Sequence, residues 1–167
     1  MSTAKRDGHA DAQVRLRGHH FICLQFYRGE GYSAAFVDNL TRVVERIAEQ
    51  PALLVEGADD VCAACPGLAA DGSCVDPNAG EIEVRRIDRL AWDVLGAKPG
   101  DPLSLADARE LLTDDAISLG RWRFEACSGC TWEDVCGSGW GALIRSAEAE
   151  ARATGSTEPA SETEPGE

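Results

Sequence analysis

Aromatic side chains make up only 6% of this 167-residue chain, and methionine occurs once. Positive charge is also scarce: 16 Lys and Arg stand against 29 Asp and Glu, a formal net charge of −13. That balance excludes nucleic acid as the expected partner, because phosphate binding needs a basic surface. The small basic groups Arg15/Arg17, Arg85/Arg86/Arg89 and Arg121/Arg123 read as solvated helix faces paired with carboxylates. No apolar run approaches ~18 residues, so no membrane-spanning segment is expected. The first twenty residues hold no apolar core of a secretory signal, and the expected location is a reducing cytoplasm. There is no phosphate loop, no G-x-S-x-G elbow, no H-E-x-x-H and no C-x3-C-x2-C. The common catalytic signatures are therefore missing, and the reading leans away from an enzyme.

What is present is apolar aliphatic material and cysteine. Hydrophobic residues reach 44%, enough for a core built mainly of Ala, Leu, Val and Ile. The length suits one domain. Residues 1–13 are polar and alanine-rich, and residues 153–167 are rich in Glu, Ser, Thr and Pro. The first reads as a flexible arm and the second as a disordered acidic tail, leaving 14–152 as a single folded domain.

Within it helices dominate. Phe36, Val37, Leu40, Val43, Val44 and Ile47 recur at helical spacing after Ser33, a suitable cap, and before Pro51. "ALLVEG" is a short buried run with strand character. Val84, Ile87, Ala91, Val94 and Leu95 form another stripe, ended by Gly96. Ser104 with Asp107 makes a capping-box-like start, a further helix runs through "DDAISLGRW", and Trp140, Leu143, Ile144 and Ala147 mark a last amphipathic helix. The expected fold is mainly α: a compact small helical domain with at most a short strand pair, its cysteine-bearing loops set around one or two metal centres.

The seven cysteines are the chemistry-bearing feature. An odd number in a reducing compartment is no disulfide framework. Cys62, Cys65 and Cys74 lie in "DVCAACPGLAADGSC" with spacing C-x2-C-x8-C; Cys127, Cys130 and Cys136 lie in "CSGCTWEDVC" with spacing C-x2-C-x5-C. A C-x2-C pair on a tight turn chelates one metal or one cluster edge. Each triplet lacks a fourth donor. The remaining cysteine is Cys23, in "GHHFIC", and on a helix His19 and His20 share its face. Seven thiols and one histidine close two four-ligand sites, with "GHHFIC" lending one ligand to each triplet. Spacing leaves open which triplet takes Cys23 and which histidine is the ligand. Asp59, in "GADD", is the simplest cap for the turn that carries Cys62. His9, in the arm, reads as solvated. Trp132 and Trp140 could shield the second centre, or serve as ordinary core anchors.

Zinc accepts four cysteines, or three and a histidine; three clustered cysteines with a remote fourth is also a [4Fe–4S] arrangement. The stretches "LRGHHFICLQFYRGEGYSAAFVDNL", "EGADDVCAACP" and "CSGCTWEDVC", in this order, resemble a bacterial and archaeal family, domain of unknown function 1284, over about residues 14–145. The resemblance implies an iron–sulfur-binding protein, and with it Cys23, Cys62, Cys65, Cys74, Cys127, Cys130 and Cys136 as ligands. The expectation is one or two [4Fe–4S] clusters, electron transfer or redox sensing, and a redox partner protein. A zinc-stabilised interaction module is the alternative. The carboxylates close in sequence to the cysteines should lower a cluster's potential, because reduction adds negative charge.

Overall fold

The computed structural model describes residues 12–76, 79–114 and 116–153. Most of the arm, with His9, and all but the first residue of the acidic tail lie outside the described residues. The chain runs β1 (Arg15–Arg17), α1 (Gly18–Cys23), α2 (Ala34–Glu49), β2 (Ala52–Val55), α3 (Gly80–Leu95), β3 (Pro102–Leu103), α4 (Leu105–Asp114), α5 (Ala116–Trp122) and α6 (Glu133–Ala153). Helix is the main component, as the apolar periodicity requires. The sheet has three short strands where a pair was expected. β2 is central: it pairs in parallel with β1, Leu16 opposite Leu54, and antiparallel with β3, Ala52 opposite Leu103. The β1–β2 pair is parallel, so the chain between them must cross over, and α1 and α2 make that crossover.

The sequence stripes become the core. Phe36, Leu40, Val43 and Ile47 of α2 are buried, as are Val84, Ala91, Val94 and Leu95 of α3. Ser33 caps α2, its Oγ accepting from Phe36 N at 3.2 Å. Gly96 closes α3 in the left-handed region at φ 58°, which suits glycine because no Cβ crowds the backbone. Ser104 Oγ accepts from Asp107 N and donates to its carboxylate, the reciprocal start read from the sequence. Trp140 packs on Phe26, ring centroids 4.3 Å apart, and is a core anchor. Among the described residues no helix is long and apolar enough to cross a membrane.

One short segment positions the site. α1 follows β1 without a loop, and its apolar residues Phe21 and Ile22 are fully buried. Burying two such side chains contributes roughly 1.5–3 kcal/mol each, which pins a helix too short to hold itself. The pinning leaves His19, His20 and Cys23 on the remaining face. Gly18 permits the close approach of α1 to α3: a Cβ there would lie 2.8 Å from the Asp88 carbonyl oxygen and from the Trp92 ring.

Candidate metal centres

Two buried carboxylates organise α1. Asp88 stands on α3, inside its apolar stripe, and is 1% exposed. Its Oδ2 accepts from Arg17 Nε at 2.7 Å, and its Oδ1 lies 2.6 Å from His19 Nδ1. Asp59 is the cap foreseen from "GADD": its Oδ1 accepts from Cys62 N at 2.9 Å. Its Oδ2 accepts from Arg17 N and approaches His20 Nδ1, both at 2.6 Å. The two histidine rings sit 4.1 Å apart, each anchored through Nδ1 by its own carboxylate.

The electrostatics follow from burial and pairing. Burial pushes the Asp59 carboxyl up, but the charge and hydrogen bond of His20 and the backbone N–H groups of Arg17 and Cys62 outweigh it, and the net shift is well down. Asp88 behaves alike: burial raises it, and His19 and Arg17 carry it below the usual carboxylate range. Burial lowers the pKa of His19, with the neighbouring His20 adding to the effect. The lowered pKa favours neutral His19, which donates to Asp88 while Arg17 supplies the opposite charge. A neutral His19 donating from Nδ1 leaves a lone pair on Nε2. Arg17 itself is buried, and its Nη2 has no hydrogen-bond partner; the Glu81 carboxylate stands 3.8 Å from it.

The first triplet wraps around the N-terminal end of this group. Cys62 and Cys65 lie on one tight turn, Cys65 N donating to Cys62 O at 2.9 Å. Gly67 N donates to Cys65 Sγ at 3.4 Å, a sulfur-directed bond of the kind that supports metal-bound thiolates. A small hairpin, with Leu68 bridged to Cys74, brings the third cysteine back beside Cys65. Glu81 of α3 holds that end by accepting from Cys74 N at 2.7 Å. Ligand atoms of His20, Asp59 and Cys62 all lie within 4.8 Å of one another. Burial pushes the Cys62 thiol up to about 12, with the Asp59 charge adding to it. The trio holds the three groups of a nucleophilic triad, but Asp59 and not His20 contacts Cys62, and an activated thiol needs the opposite shift. A metal that displaces the proton suits such a group better.

The second triplet lies near Cys23 of α1. Cys127 ends a π-helical turn, Arg123–Cys127, that continues α5; Cys136 sits in the first turn of α6. The C-x2-C turn closes through Cys130 N to Cys127 O at 3.0 Å, with Gly129 at φ 75° and its N–H held by Glu133 at 2.9 Å. Burial raises Cys127 to about 11, with Cys130 and Cys136 next to it adding and Arg123 opposing. Cys136 is raised by burial and by Cys130, with Arg28 opposing. Cys23 belongs to this group. Its side chain touches solvent, yet burial drives its thiol well up, and Cys136, Cys127 and Cys130 follow as the next causes. The structure thus brings Cys23 to the second triplet and His20 to the first. His19, the other candidate, turns to Asp88.

The two cysteine loops also meet through Tyr32. Its hydroxyl accepts from Trp132 Nε1 at 3.1 Å and donates to Asp76 Oδ2 at 3.4 Å. Of the basic groups, Arg85, Arg86 and Arg121 pair with Glu81, Glu83 and Glu125 as expected. Arg17 departs from that reading by being buried. Sequence reasoning missed Arg17, Asp88 and Glu81. One signal was available: Asp88 occupies an apolar stripe between Val84 and Ala91, where a carboxylate is costly unless partnered.

Comparison with known proteins adds the family but no chemistry. No curated protein and no solved structure matches the chain. A family model described as "Protein of unknown function (DUF1284)" matches residues 31–136. That span holds both cysteine triplets, Asp59 and Asp88, and stops short of α1, whose His20 and Cys23 the tertiary structure adds to them. The chain belongs to the DUF1284 family.

Proposed function

We propose that this protein is a small iron–sulfur-binding protein that transfers electrons or senses redox state, working with a redox partner protein in a reducing cytoplasm. Cys23, Cys127, Cys130 and Cys136 hold the cluster, a [4Fe–4S] centre. The first cysteine loop and His20 form a separate metal centre. The observation that carries this reading is that Cys23 comes within electrostatic reach of Cys127, Cys130 and Cys136, from segments a hundred residues apart in sequence. Three clustered thiols with a remote fourth is a [4Fe–4S] arrangement.

The surroundings bear on the potential. Glu133 and Asp134 disfavour the added negative charge of reduction, while Arg28 and Arg123, close to Cys136 and Cys127, oppose them. Anaerobic purification followed by absorption spectroscopy and counts of iron, sulfide and zinc tests the reading. A brown protein with acid-labile sulfide is expected, and Cys23→Ser should lose that sulfide and colour. Zinc in both centres without sulfide, the mark of a zinc-stabilised interaction module, refutes it.

A further inference from the structure

We propose that His20, Asp59 and Cys62 bind a single divalent cation of the zinc type, with Cys65 as a supporting group beside them, and that Cys74 is not one of its ligands. The inference rests on the first cysteine loop forming a metal centre and is independent of what the second holds.

Three observations support it. The first is spacing. Ligand atoms of three different kinds, imidazole nitrogen, carboxylate oxygen and thiol sulfur, fall within 4.8 Å of one another, where one ion can touch all three. A four-iron cluster binds each ligand to a different iron and keeps the donors apart. Zinc, a borderline-soft ion without geometric preference of its own, accepts this mixed set.

The second is charge. Asp59, Asp88 and Arg17 are all buried, so two carboxyl groups share one guanidinium in a place of low dielectric, where surplus negative charge is costly. A divalent cation that converts Cys62 to thiolate brings the set to neutrality. One proton is displaced: the Cys62 thiol proton leaves to solvent. His20 binds as the neutral imidazole, keeping the N–H directed at Asp59 Oδ2 across 2.6 Å and offering its other ring nitrogen to the ion.

The third is support. Arg17 N and Cys62 N donate to the two Asp59 oxygens, fixing the carboxylate from behind, while leaving Oδ1 a further lone pair. Cys65 follows Cys62 on the same turn and feels the Asp59 charge. Cys74 has a different engagement: it is bridged to Leu68, its backbone N–H donates to Glu81, and it is not among the grouped ligand atoms.

The test uses the full chain carrying Cys23→Ser, which removes the proposed cluster and isolates the first centre. After treatment with a chelator it is titrated with cobalt(II), whose thiolate charge-transfer and d–d bands report a tetrahedral sulfur-bearing site. Stoichiometric cobalt binding is expected. Adding His20→Gln, Asp59→Asn or Cys62→Ser should abolish the bands, and Cys65→Ser should weaken binding by about 10–100-fold, as loss of a supporting group does elsewhere. Cys74→Ser should leave the spectrum unchanged. Loss of binding in Cys74→Ser as complete as in Cys62→Ser overturns the proposal. Should Cys23→Ser not fold, zinc counting on the anaerobically purified wild type decides: stoichiometric zinc supports the site, and its absence refutes it. Zinc in both centres with no sulfide would refute the cluster while leaving this site standing.

Discussion

Asp88→Asn is the most informative single change outside the cysteines. The carboxylate it removes is 1% exposed and accepts from Arg17 Nε at 2.7 Å and from His19 Nδ1 at 2.6 Å. Asparagine keeps the shape but not the charge. It leaves the Arg17 guanidinium buried, with its Nη2 already without a hydrogen-bond partner. Breaking a buried ion pair from one side costs about 3–5 kcal/mol, because the surviving charge has no compensation. In a domain of this size 1 kcal/mol moves the melting midpoint by roughly 2–4 °C, so Asp88→Asn should lower it by about 6–20 °C. Thermal unfolding followed by circular dichroism, with the metal content of both proteins matched, measures the shift. The double variant Arg17→Met with Asp88→Leu serves as control. With both charges gone the desolvation cost disappears as well, and much of the loss should be recovered. A midpoint for Asp88→Asn within 2 °C of wild type, or a double variant no better than the single, would refute the assignment of Arg17 and Asp88 as a buried, mutually dependent pair.

Gly18→Ala should destabilise the fold by about 1–3 kcal/mol, since its Cβ would meet Asp88 O and the Trp92 ring at 2.8 Å; denaturant unfolding checks this, and an unchanged midpoint would contradict the packing of α1 on α3. Tyr32→Phe removes the hydroxyl that joins Trp132 to Asp76 and should cost about 0.5–1.5 kcal/mol while speeding amide exchange in both cysteine loops together; exchange altered in one loop alone would show that the link does not couple them. Stability should also fall on acidification. The His19 pKa is lowered on folding, so the unfolded chain takes up the proton first, and stability declines as pH drops below about 6.5, by up to about 1.4 kcal/mol per pH unit. Asp59 and Asp88 are lowered too, so their contribution holds above about pH 3.9 and is lost as pH falls through their folded values. Melting curves between pH 8 and 5 should slope in wild type and flatten in His19→Gln; equal slopes would exclude His19 as the group responsible.

How much of this was legible in the sequence differs by element. The helices were, because burial of one face forces apolar residues to recur at helical spacing: Phe36, Leu40, Val43 and Ile47 announce α2, and Ser33 and Gly96 act where capping chemistry demands. The tight C-x2-C turns and the Asp59 cap were legible too, since both depend on residues within a few positions of one another. The sheet was less so. β1 and β3 are three and two residues long, too short for a period of two to register, and they exist because β2 offers them partners.

The candidate site divides along the same line. By itself the sequence determined that six thiols come in two local triplets, that "GHHFIC" carries the spare donors, and that His20 and Cys23 share a helix face, because these are facts of spacing over one or two turns. Only the tertiary structure decided the pairing: Cys23 with Cys127, Cys130 and Cys136, and His20 with Cys62 through Asp59. It also decided that Arg17, alone among the arginines read as surface charges, is buried and depends on Asp88, seventy-one residues away. Such pairings have no local signature. They arise from the packing of α1 between α3 and the two cysteine loops, and buried charge then leaves each ionisable group dependent on the one partner within reach.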